Sequence, residues 1–151
     1  MARTFSSTGI QNASLLGELI FWNKKKNSGF CFDSATGFTL ADGSVRSPDV
    51  SWIATKKWNQ LSETQKHSFA PICPDFVIEL KSKSDNSKYL TNKMHKWIKN
   101  GCALAWLINP ENKTVLIFRK DETVDKIHGF NNILSGEDVL PGFELSLSLL
   151  I

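Results

Sequence analysis

Residues 75–108 read DFVIELKSKSDNSKYLTNKMHKWIKNGCALAWLI, and three successive patterns in them decide the fold. From Asp75 to Lys81 the residues alternate, with Phe76, Ile78 and Leu80 on one side and Asp75, Val77, Glu79 and Lys81 on the other. Strand side chains point to opposite faces in turn, so this run predicts a strand with one core face and one polar face. Ser84 or Asp85 can cap a helix in which Tyr89, Leu90, Met94, Trp97 and Ile98 form a 3.6-residue stripe, and Asn100-Gly101 stops it. Ala103 to Ile108 is nearly all apolar, as expected of a strand buried on both faces. Strand, amphipathic helix and buried strand in series predict an α/β domain.

Outward from this centre the signals continue. The turn Asn109-Pro110-Glu111-Asn112 reverses the chain into a return strand, Thr114 to Arg119, giving a buried hairpin that closes the sheet. Ser135-Gly136 and Pro141-Gly142 mark turns in the tail, and Phe143 to Ile151 alternates like an edge strand. On the N-terminal side, Leu15, Leu16, Leu19, Ile20 and Trp22 share one side of a helix from about Ile10 to Lys25, with Lys24, Lys25 and Lys26 at its C-terminal end, where cations suit the helix dipole. Gly29 to Asp33, Phe38 to Leu40 and, after the tight turn Asp42-Gly43, Val45 to Ile53 predict an antiparallel meander. Residues 54–74 mix lysines, prolines and Ser62-Glu63-Thr64-Gln65, which suits a surface connection with one helical turn.

With 151 residues, 41% hydrophobic and 11% aromatic, residues 1–151 are read as a single domain with a real core. The net charge of +3 is compatible with a polyanionic partner but ordinary for a solvated surface. Cys31, Cys73 and Cys102 are widely spaced, with no C-x-x-C pair and no histidine placed to complete a zinc site, so they read as reduced, mostly buried thiols. The start carries no apolar signal region and no apolar run approaches a membrane-spanning length, which makes a cytoplasmic protein without a membrane partner the default expectation. His67, His95 and His128 show no spacing that suggests a metal site or a catalytic triad.

Pro48-Asp49 ends one strand, and Glu79-Leu80-Lys81 lies inside another, a P-D…E-x-K pattern. Two carboxylates on adjacent strands can share one divalent cation, and the residue two beyond the glutamate projects from the same face. Hard oxygen ligands favour Mg²⁺ or Mn²⁺, which lower the pKa of bound water and neutralise charge on a phosphate. Lys81 would orient that water or stabilise the transition state. The bland reading is that Asp49, Glu79 and Lys81 are the solvated face of a half-buried strand, and on spacing alone it leads. Lys81, Lys83, Lys88, Lys93, Lys96 and Lys99, joined by His95, form a basic run that would supply sequence-independent phosphate contacts to DNA or else a solvated helix face.

Ordered blocks carry more than the short pattern. Gly37-Phe38-Thr39-Leu40, Asp42 to Trp52, Cys73 to Asp85, Lys93-Met94, Asn100-Gly101 and Trp106 to Pro110 together resemble the large bacterial family of putative restriction endonucleases within the PD-(D/E)XK superfamily. The resemblance runs from helix one to about Pro141-Gly142-Phe143. It implies a restriction-endonuclease-like mixed β-sheet flanked by helices, a divalent-metal site and a tendency to form homodimers. It also implies an N-terminal segment before helix one, so that a truncated copy of the family's domain is an expectation here. Many relatives place the lysine on the following helix, here Lys93, instead of at Lys81. On the residues alone Lys93 reads as a surface lysine, so both are carried as candidates. Glu18 is the kind of helix-one carboxylate that occasionally joins such a site.

The expected function is metal-dependent endonucleolytic cleavage of DNA phosphodiester bonds, with Mg²⁺ or Mn²⁺ held by Asp49, Glu79 and the Leu80 carbonyl and assisted by Lys81 or Lys93. The chief alternative is a catalytically inactive copy of the fold that binds DNA or a protein. A hydrolase acting on RNA or a nucleotide is the third. No loop or helix stands out as a base reader.

Overall fold

The computed structural model describes residues 3–150. The chain forms α1 (Ser6–Lys26), β1 (Gly29–Phe32), β2 (Phe38–Thr39), β3 (Val45–Arg46) and β4 (Val50–Ala54). Two single-turn helices, α2 (Thr55–Trp58) and α3 (Glu63–Lys66), precede β5 (Phe76–Leu80), which leads through α4 (Ser87–Lys99) to β6 (Leu104–Asn109). β7 (Thr114–Arg119), β8 (Val124–His128), β9 (Ile133–Ser135), β10 (Glu144–Ser146) and a 3₁₀ turn (Leu147–Leu150) follow. Six strands form one mixed sheet in the order β1-β4-β5-β6-β7-β8, parallel between β5 and β6 and antiparallel elsewhere.

The parallel pair explains the length of chain between β5 and β6, since parallel neighbours need a crossover and α4 supplies it. All five residues of β5 are buried, which corrects the expectation of one polar face. Phe76, Ile78 and Leu80 join a core with Leu15, Leu19 and Trp22 of α1, while Val77 packs with Leu90, Met94 and Trp97 of α4. Both faces of the sheet centre are thus covered by helices. α4 departs from expectation in two respects: Asn86 rather than Ser84 or Asp85 caps the helix, accepting the Tyr89 N–H at 3.0 Å, and Tyr89 is 58% exposed.

The expected meander is a different construction. β1 pairs directly with β4, whereas β2 and β3 form a separate two-stranded ribbon around the Asp42-Gly43 turn, where Gly43 adopts φ +85°. Pro48 splits the run Val45 to Ile53, because a proline has no N–H for the ladder. Gly29 is needed at the β1–β4 contact, where a Cβ would stand 2.4 Å from Trp52. The expected edge strand at the C-terminus is limited to Glu144–Ser146, paired with β9, before the 3₁₀ turn buries Leu147 and Leu150 together. The i, i+3 alignment of that turn presents both leucines to one side. Ile151, the end of that expected strand, lies outside the described residues.

The α1 side of the sheet holds an aromatic centre. Trp106 meets Phe76 edge-on at 4.8 Å between centroids and stacks on Phe143 at 5.9 Å, and it is fully buried. Trp106→Ala is expected to lower stability by about 3–5 kcal/mol through lost burial and the cavity left behind. Equilibrium urea unfolding measures it, and a loss below about 1 kcal/mol would mean that this centre is not what holds the sheet to α1.

Candidate active site

Continuing the β4–β5 register one residue past the pair Val50↔Ile78 sets Asp49 opposite Glu79. Pro48 has no N–H to extend the ladder, and β4 begins only after Asp49. Asp49 Oδ2 accepts the backbone N–H of Leu80 at 2.7 Å, tying the approach to β4 to the end of β5. Glu79 lies on the α4 face, 3% exposed, and its Oε2 is 3.2 Å from Lys93 Nζ. Lys93 reaches it from the second turn of α4, where it follows Leu90 by three residues and precedes Met94 and Trp97, the residues that seat the helix on the sheet.

These three residues line a cavity of about 390 Å³ at the end of β5, between the first turns of α1 and α4. Arg3, Phe5 and Thr8 contribute from the α1 side; Leu80, Asp85 and Tyr89 contribute from β5, the following loop and α4. Asp85 Oδ2 accepts both the Ser82 N–H and its hydroxyl at 2.9 Å, which fixes the loop. No sequence pattern points to Thr8 or Phe5, since their approach depends on how α1 crosses the sheet. Asp85 carries a helix-cap signal and Tyr89 falls on the apolar stripe of α4, so in the sequence neither points to a site.

Burial sets the electrostatics. It pushes the Glu79 carboxyl up to about 7; the Lys93 ammonium opposes this and the neighbouring Asp49 reinforces it. Asp49 is also raised, chiefly by burial, against the pull of the Leu80 N–H and Lys93. Glu79 Oε1 is buried and makes no hydrogen bond of good geometry; the Trp97 indole N–H, itself without a partner, lies near enough to favour the carboxylate. The donor set fits a hard divalent cation: two converging carboxylates, one with an unpartnered oxygen, beside the Leu80 main chain. Among the described residues no three His, Cys, Asp or Glu side chains are placed to hold a metal. The remaining coordination positions would therefore fall to water and substrate oxygens, as suits Mg²⁺.

The other candidates lie elsewhere. Lys81 does not line this cavity; its Nζ donates to the Ser82 carbonyl at 3.1 Å and it borders a neighbouring cleft. Glu18 lines a separate groove with Phe21, Trp22 and Lys25, on a later part of α1. The basic run is divided, with Lys93 paired to Glu79 and Lys96 to Asp42 at 2.8 Å. His95 packs edge-on against Phe118. The three cysteines are free thiols, and burial raises Cys73 to about 11, so it is no nucleophile.

The chain is similar in fold to a putative nuclease belonging to DUF820 from Anabaena variabilis ATCC 29413, with a TM-score of 0.84 and 17% identity over 99% of this chain and 82% of that one. That likeness makes the fold restriction-endonuclease-like, a mixed sheet flanked by helices. A DrdV–DNA complex is a much looser likeness, with a TM-score of 0.46 and 13% identity over 77% of this chain and 9% of that one. No curated protein matches the chain. Among the described residues no helix is long and apolar enough to cross a membrane. The model of the Uma2 family, described as "Putative restriction endonuclease", matches residues 1–148, and the chain belongs to that family of nucleases.

Proposed function

We propose that this chain is a metal-dependent endodeoxyribonuclease, acting as a single domain, in which Asp49 and Glu79 hold Mg²⁺ or Mn²⁺ and Lys93 is the lysine of the site. The observation that carries the reading is the triad itself: buried Glu79 flanked by half-buried Lys93 at 3.2 Å and facing half-buried Asp49 across the strand pair, with one Glu79 oxygen making no hydrogen bond. The Lys93 ion pair engages only one of the two oxygens, and a cation would supply the partner that the other lacks, an unsatisfied buried carboxylate oxygen being destabilising.

A divalent cation held by the two carboxylates and the Leu80 carbonyl would supply positive charge against a scissile phosphate and acidify water. The chain's own groups do the rest. Asp49 is positioned by the Leu80 N–H, so the two carboxylates keep one spacing before substrate arrives. Lys93 favours the ionised form of Glu79 and stands ready to donate a hydrogen bond to an attacking water or to a developing phosphoryl charge. α4 and α1 wall the cavity from both sides, which lowers the local dielectric and strengthens these charge interactions.

The test is hydrolysis of supercoiled and single-stranded DNA with Mg²⁺, Mn²⁺ or chelator, beside Asp49→Ala and Glu79→Ala. Cleavage is expected to need metal and to fall at least about a thousandfold in each variant. Metal-independent cleavage, or cleavage surviving both substitutions, would overturn the assignment. Wild-type DNA binding without any cutting would favour an inactive binding module.

A further inference from the structure

The E-x-K spacing puts Lys81 on the Glu79 face of β5, about 7 Å further along the strand, yet its side chain borders a second cleft of about 170 Å³. The sheet register explains what that cleft is made of. Glu79 aligns with Leu107, Leu116 and Lys126 across β6, β7 and β8. The next row on the same face continues from Lys81 through Asn109 and Thr114. Ser87 and Thr91 of α4 close the cleft from above.

Its chemistry is one-sided. No carboxylate lines it, and neither Lys81 nor Lys126 forms an ion pair among the described residues. Asn109 Oδ1 is taken by the N–H groups of Glu111 and Asn112 at 3.1 and 3.2 Å. Its amide nitrogen has no partner among the described residues and remains available as a donor. Two ammonium groups, an amide donor and hydroxyls around a small cleft without an acid select a phosphate rather than a cation or an apolar ligand. The cleft begins one residue beyond Leu80 and extends sideways by three strand spacings, roughly 14 Å, to Lys126.

We propose that this cleft is a phosphate-binding subsite that seats a DNA backbone phosphate beside the one to be cut, with Lys81 and Lys126 as its cations. The inference rests on the nuclease reading and gives Lys81 a positioning role that differs from the role of Lys93. Backbone contacts of this kind fix the register of the strand and carry no sequence information.

The experiment measures DNA affinity across a salt series in chelator, and KM and kcat with metal, for wild type, Lys126→Ala and Lys81→Ala/Lys126→Ala. Lys120→Ala, at the far end of β7, is the control. Lys126→Ala is expected to weaken binding roughly three- to tenfold, to reduce the salt slope by about one and to raise KM while kcat holds. A merely structural role for Lys126 would not change the salt slope. Wild-type affinity and slope in Lys126→Ala, with DNA still bound and cut by the wild type, overturn the subsite alone. If Lys126→Ala loses only the binding of inorganic phosphate, followed by amide NMR, the cleft serves free phosphate and the DNA assignment falls. If the wild type neither binds nor cuts DNA, the nuclease reading fails and takes the backbone assignment with it.

Discussion

Lys93→Ala is expected to lower kcat for DNA cleavage at least about a hundredfold while leaving DNA affinity within a few-fold of wild type. Two effects combine. The ammonium that stands 3.2 Å from Glu79 Oε2 is lost from the reacting centre, together with its hydrogen bond to water or phosphate. Glu79 also loses the charge that holds its carboxyl down to about 7, so a larger fraction is protonated near neutrality and unable to bind a cation. The second effect is proton-linked, and raising the pH should recover part of the loss in Lys93→Ala but none of it in Glu79→Ala. A Lys93→Ala enzyme within threefold of wild type would remove Lys93 from the chemistry and return Lys81 to consideration.

Glu79→Gln is expected to abolish cleavage and, in chelator at pH 8, to raise stability by something on the order of 1–3 kcal/mol. The sign follows from the direction of the shift. In the folded chain burial raises the Glu79 carboxyl to about 7, above its ordinary value of 4.5. Between those two values the folded chain holds a proton that the unfolded chain has released, so stability falls as pH rises through this window. Above about 7 the full penalty of a buried charge is present, and glutamine does not incur it. The difference between the variant and wild type should therefore shrink towards zero as pH falls below 4.5. Saturating divalent cation should stabilise wild type and not the variant, since only the folded wild type offers the two carboxylates. Chemical denaturation at pH 8 and pH 4 with chelator reads both limits, and a glutamine variant less stable than wild type at pH 8 would show that Glu79 holds the fold rather than strains it.

The middle of the chain was legible in its sequence because each element there carries a strong period. β5, α4 and the β6–β7 hairpin bury different faces in different rhythms, and those rhythms survive in the residues as alternation, a 3.6-residue stripe and an unbroken apolar run. β8 left no such trace. Val124-Asp125-Lys126-Ile127-His128 is exposed along most of its length and is held by main-chain pairing to β7, which side-chain patterning does not record. The split at Pro48 was likewise hidden within a run of good strand formers, although the proline itself was a warning. At the site, the spacing of Asp49 and Glu79 pointed to two strands sharing a face. Which lysine stands beside them is a tertiary matter, because α4 must lie over β5 before Lys93 can reach Glu79. The full burial of Glu79 was unreadable for the same reason: an alternating strand looks half-solvated until a helix covers its second face.

That second cover gives β5 an unusual independence of its two sides. Odd and even positions of one five-residue strand belong to separate packing neighbourhoods, Phe76, Ile78 and Leu80 to the α1 layer and Val77 and Glu79 to the α4 layer. Away from Leu80 and the first turn of α1, where the two meet at the site, drift in one neighbourhood need not be matched by drift in the other. A lineage carrying this fold can accumulate substitutions among the α1-side aromatics, gaining or losing thermal tolerance, while the carboxylates stay in register. Conversely, exchange of residues along α4 can retune or silence the chemistry on a scaffold whose other half is untouched.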